Sequence, residues 1–147
     1  MLSWWFILTF LHLLGLALGV GAATVKLTFL IKCNSDYDFV PIFVKVTKSV
    51  TRIIVVGLIL LTLSGIGWIL LGTTFTPLFI IKLSLVLLIW ILGPYIDNAI
   101  EPKFIKLAPT AGNSPTKEFL SVNKKYLTFE SIATILFYVI TIMGVQL

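Results

Sequence analysis

The sequence predicts an all-α integral membrane protein, an up-down bundle of four apolar helices with both termini outside. Composition points there first. Of 147 residues, 59% are hydrophobic and 12% charged, and the mean hydropathy is +1.09. Globular proteins average nearer half apolar and a quarter charged, so a soluble domain of this length has no interior large enough for the excess. The second observation is that the apolar residues gather in four stretches, each near the roughly 20 residues a spanning helix needs. The third is that most Lys and Arg lie between those stretches rather than within them.

The first span is expected over residues 4–31, long enough to cross a bilayer with tilt. Its leading residues lack the basic region of a cleavable signal peptide, so it is expected to be retained. The polar run Lys32-Cys33-Asn34-Ser35-Asp36-Tyr37-Asp38 then reads as a turn, with Asp38 as an N-cap ahead of Val40-Pro41. The second span is expected over 50–72. Between Pro41 and Lys48 the pattern is apolar with interspersed lysines: either this helix begins near Pro41 and projects from the membrane, or the piece lies in the interface. Thr73 to Thr76 is short and uncharged, which predicts a tight antiparallel hairpin of helices two and three. The third span is expected over 77–96. Pro77 suits a first helical turn, and Gly93-Pro94 ends or kinks the far end. Residues 97–125, with Pro102, Pro109 and Gly112-Asn113-Ser114-Pro115, read as a mobile surface loop. The fourth span is expected over 126–147. Residues 1–147 therefore form a single transmembrane domain.

Orientation follows from charge. Lys32, Lys45, Lys48 and Arg52 flank the first loop, and Lys103, Lys106, Lys117, Lys124 and Lys125 flank the third. The opposite end has no Lys or Arg outside the spans, so the positive-inside rule puts both long loops in the cytoplasm and the protein in the inner cell membrane. Trp4, Trp5 and Trp68 then fall at the outer interface as an aromatic belt. The net charge of +5 is explained by topology and anionic lipid, and no nucleic-acid partner is expected. Cys33 is the single cysteine, which excludes an intrachain disulfide or a cysteine-built metal cluster.

Two ionisable residues stand at membrane depth, where each is costly: His12 in the first span and Lys82 in the third. Both belong to the outer half and are expected to face one cavity. His12, Gly15, Gly19, Ala23 and Lys26 share a helical face, and Gly15, Gly19 and Ala23 form a small-residue ridge that admits another backbone, a flat ligand or a second copy of the chain. Ser131, Thr134, Tyr138 and Thr141 form a polar stripe on the last helix. Each has a plainer reading too: small and hydroxyl residues are ordinary packing material, Lys82 and Lys26 can snorkel, and His12 can be a hydrogen-bonded packing residue. Glu130 is expected to pair with Arg52 or Lys26, and Asp97 and Glu101 to be loop charges. A lone imidazole beside glycines also suits a haem axial ligand, with Lys82, Met143, a second chain's His12 or nothing in the sixth position. No Ser-His-Asp or Cys-His constellation is expected, because there is one His and the acidic residues lie near the opposite membrane face.

Leu11-His12-Leu13-Leu14-Gly15 with Ile81-Lys82-Leu83-Ser84-Leu85 resembles a loose group of small bacterial membrane proteins across all four spans. The group includes HemJ-type protoporphyrinogen IX oxidases, copper-resistance CopD-like domains and uncharacterised four-helix relatives, which share a helix-one His and a helix-three Lys. In the HemJ-type enzymes those two are implicated in binding haem b and in activity. The Trp and Phe-Tyr-Leu-Pro-Arg-like segment that follows their His is absent here, where Ala22-Ala23-Thr24-Val25-Lys26-Leu27 stands, so the resemblance implies a place in the wider group. Three readings follow: a haem-b-binding membrane protein, redox-active or not, with His12 as axial ligand to the iron and Lys82, Gly15, Gly19 and Tyr138 lining its site; a non-catalytic accessory subunit of a larger membrane complex; or a small transporter with Lys82 and Tyr138 in an outward-facing cavity.

Overall fold

The computed structural model describes residues 3–145, and among these the chain is all-helical. The long helices are α1 (Trp4–Ser35), α2 (Val40–Leu70), α3 (Pro77–Tyr95) and α5 (Lys117–Val145), with a short α4 (Glu101–Leu107). A single π turn, Ile96–Ile100, joins α3 to α4 as one continuous helical rod. Four such rods are long and apolar enough to cross a bilayer, which is the make-up of a multi-pass membrane protein. The last two residues of the expected fourth span lie outside the described residues.

The closest packing joins α1 to α2, because glycines let their backbones touch. A Cβ on Gly15 would meet the Gly57 carbonyl oxygen at 2.9 Å, and one on Gly57 would overlap the Gly19 backbone. The α1 ridge is thus used inside the chain. α1 also packs on α5, and α5 on α3. The expected tight hairpin of the second and third helices is not formed: the connection is short, but α2 and α3 make little contact along their length. The indole N–H of Trp90 donating to Thr62 Oγ1 at 3.0 Å ties them across the gap. The loop fixed only that the helices are neighbours in sequence, while the glycine seam drew α2 onto α1.

At the end of the bundle that carries the basic loops, the helices overrun a membrane. α1 has 32 residues, about 48 Å at 1.5 Å per residue, against a hydrocarbon core of about 30 Å. The overhang is packed like a soluble core: Leu30, Cys33, Val40, Phe43, Phe104 and Phe119 are all fully buried. Phe104 stands edge-on to Phe43 and lies against Phe119, with ring centroids 5.7 and 5.1 Å apart. This packing corrects the mobile loop expected over 97–125. Helix persists to Leu107 and resumes at Lys117, where Thr116 Oγ1 accepts the Phe119 N–H. Only 108–116 are irregular, with Gly112 at φ +81° in the turn. α2 runs unbroken from Val40, and Asp36 is the residue whose side chain caps the turn before it. Asp38, the expected cap, instead accepts the Gly112 N–H at 3.3 Å.

Candidate functional site

At the other end α2 and α3 stand apart, and between α1, α2, α3 and α5 lies a cavity of about 640 Å³, within the range of small-molecule sites. Leu58, Ile89, Phe137 and Ile140 give it an apolar lining. His12 and Lys82 both line it, on α1 and α3 respectively, as their matched depths in sequence had implied.

His12 is held in one orientation by α2. Its Nδ1 lies 2.9 Å from Ser64 Oγ, and its ring stacks on Trp68 with centroids 4.7 Å apart. The Ser64 hydroxyl proton is already given to the Leu61 carbonyl oxygen at 3.0 Å. Ser64 then accepts from His12, which places a proton on Nδ1; in the neutral ring Nε2 is left as a lone pair with no donor from the described protein atoms. Orientation of one ring nitrogen by a protein oxygen is how metal-binding histidines are commonly held. Ser64 is fully buried and was not singled out in the sequence. The signal was available, since it lies seven residues after Gly57 and so on the same seam-facing side of α2.

Lys82 reaches across from α3 to α5, its Nζ lying 3.1 Å from where a Cβ on Gly144 would be. It is half-buried, and no carboxylate approaches it among the described residues. Trp68, placed by the sequence in an outer belt, instead lines the cavity, and its indole N–H is buried without an acceptor. Trp4 and Trp5 are exposed, and Trp5 also lines the cavity. The other expected site residues go elsewhere. Gly15 and Gly19 lie in the α1–α2 seam. Tyr138 is exposed beside α1, donating to Thr24 Oγ1 at 2.8 Å because Thr24 gives its own proton to the Val20 carbonyl. Phe137 takes the inward position that the polar stripe suggested for Tyr138. Met143 is not among the lining residues, whereas Lys82 is.

A second polar constellation lies about 21 Å along α1 from His12, fourteen residues on at 1.5 Å each. Lys26, expected to snorkel, is only 1% exposed and fully enclosed by acids. Its Nζ is 3.1 Å from Glu101 Oε2, 3.5 Å from Asp97 Oδ1 and 3.5 Å from Glu130 Oε2. Glu101 and Asp97 are thus structural partners and not loop charges, and Glu130 pairs with Lys26 as anticipated. Glu101 Oε2 also accepts from Tyr126 at 2.7 Å and from Thr51 and Thr47 at 3.3 and 3.4 Å. The π turn brings Asp97 and Glu101 to the same ammonium: the Glu101 N–H bonds back to Ile96, and Pro102 has no N–H to continue a regular helix. Lys26 shares its helical face with Gly15, Gly19 and Ala23, all buried, and that alignment was the sequence signal that it points inward.

Fold and site together define a multi-pass four-helix membrane protein with a ligand-sized cavity at one end and a buried ion cluster toward the other. No known protein family, curated protein or solved structure matches the chain. Among the described residues no group of three His, Cys, Asp or Glu side chains is arranged to hold a metal ion.

Proposed function

We propose that the protein binds haem b in the cavity between α1, α2, α3 and α5, where His12 Nε2 would hold its iron. The observation that carries this reading is the His12–Ser64–Leu61 chain of hydrogen bonds, which leaves a neutral imidazole with its free lone pair at an apolar cavity. The donor set fits: one imidazole for iron, apolar walls for a macrocycle, and the Lys82 ammonium for an acid side group. When bound, haem would supply one-electron redox chemistry. The residues' own contributions are to orient and enclose. Ser64 fixes the tautomer and plane of the imidazole, Trp68 covers its face, and the Gly15–Gly57 seam holds α1 and α2 in register so that His12 meets Ser64. By the positive-inside rule the cavity end faces away from the cytoplasm of the inner cell membrane, opposite the basic loops.

An absorption spectrum of the detergent-purified protein, oxidised and then dithionite-reduced, tests this. A Soret band with sharp reduced α and β bands, lost in His12→Ala, is the expected result. Ser64→Ala is expected to retain the bands while weakening haem affinity about 10- to 100-fold, the usual effect of removing a ligand-orienting partner. A flat visible spectrum from folded, haem-supplemented protein would overturn the proposal.

A further inference from the structure

Among the described residues the Lys82 ammonium has no countercharge and the Trp68 indole N–H has no acceptor. The six acidic residues are Asp36, Asp38, Asp97, Glu101, Glu118 and Glu130, and all belong to the basic end or to the Lys26 cluster. None belongs to the part of α1, α2, α3 or α5 that forms the cavity. Among the described residues Lys82 therefore stands half-buried with no carboxylate near it, at a depth where an uncompensated ammonium is costly. Its position over Gly144 keeps it across the cavity from α3 to α5, so it does not run out along its own helix. Trp68, in the same lining, has an indole N–H shut from solvent with no acceptor. Both groups are donors only: an ammonium has three N–H bonds and no lone pair, and an indole has one N–H. A donor without a partner costs free energy where water is scarce, and here a half-buried ammonium and a buried indole N–H belong to residues lining one cavity whose other polar side chains are uncharged threonines, His12 and Trp5.

We infer that Lys82 and Trp68 form an oxyanion subsite and that the cavity selects an amphiphile with an acid group on an apolar body. The inference rests on the proposal that this cavity is a ligand site, but not on iron or on His12. A haem propionate and a fatty-acid carboxylate offer the same chemistry to the pair. The apolar lining accepts the body, the ammonium neutralises the acid, and the indole N–H gains an acceptor after a small turn of its ring. Methylating the acid removes the charge and leaves the body unchanged, so the acid–ester pair isolates what these two residues read.

The test measures binding of oleic acid and methyl oleate, and of haem and haem dimethyl ester, to the detergent-purified full chain. The wild type is expected to bind each acid at least tenfold more tightly than its ester, the order of effect for a hydrogen bond to a charged group. Lys82→Met is expected to abolish that preference while leaving ester binding unchanged, which also reports that the cavity is folded. Lys82→Arg should restore it, and Trp68→Phe should reduce it about fivefold. Equal binding of acid and ester by the wild type, or a preference that survives Lys82→Met, would overturn the inference. The two proposals fail separately. Oleic acid preference with a flat haem spectrum supports the oxyanion subsite and sinks the haem reading. A His12-dependent spectrum with equal affinity for haem and its dimethyl ester leaves the haem reading standing and sinks the subsite.

Discussion

Two lysines at membrane depth divide this molecule. Lys26 is met by three carboxylates and enclosed by aromatic and hydroxyl side chains. Lys82 lies at the cavity with no acidic side chain in its half of the bundle among the described residues. The same side chain is a structural element at one end and an unsatisfied donor at the other. Burying a charge is tolerable only when its partners are supplied, by the fold or by a ligand. Packing follows the same division. Around Lys26 the helices overrun the bilayer and close over an aromatic core, whereas around Lys82 the separation of α2 from α3 leaves ligand-sized space.

The largest effect that would sharpen this contrast is Lys26→Met. It leaves three acids crowded without their shared cation, and a loss of about 3–5 kcal/mol is expected, the range for breaking a buried ion pair. Chemical unfolding in detergent measures it, and a loss under about 1 kcal/mol would mean that water reaches the cluster. Next is Gly57→Ala, whose Cβ would overlap Gly19 and force α1 and α2 apart at about 1–3 kcal/mol. Gly65→Ala, with nothing within 4 Å of its Cβ, is the matched control and should leave stability unchanged or slightly raised. Tyr126→Phe removes the 2.7 Å donor to Glu101 and is expected to cost about 1.5–3 kcal/mol in the same assay. Smallest is Lys82→Met in ligand-free protein. No acid loses a partner and an uncompensated ammonium is removed from membrane depth, so stability is expected to stay unchanged or rise by about 0.5 kcal/mol. A Lys82→Met loss equal to that of Lys26→Met would erase the distinction between the two ends.

The inward face of α1 was readable because helical periodicity alone aligned His12, Gly15, Gly19, Ala23 and Lys26. The snorkelling expected of Lys26 contradicted that alignment. Depth along a helix does not reveal whether acids from other helices arrive at the same point. Asp97 and Glu101 looked like loop charges because hydropathy drops after Ile96, and their helical continuation depends on Ile100 and Phe104 finding a core that other helices supply, with Phe43, Phe119 and Tyr126 around the Phe104 ring. Tyr138 fitted a polar stripe by spacing, yet Phe137 takes the inward position, where its ring packs into the space Gly19 leaves, while the outward Tyr138 satisfies its hydroxyl on Thr24.

By itself the sequence determined the number of spans, their approximate limits and the segregation of charge, because those depend on local hydropathy and helix length. It also placed His12 and Lys82 at matching depth, since rise per residue is fixed. Only the tertiary structure decided which helices touch. The glycine seam joined α2 to α1 and left the cavity, put Ser64 on His12, and gathered three acids around Lys26. Those contacts join residues 52 to 104 positions apart, and no local pattern encodes a distance that only packing can close.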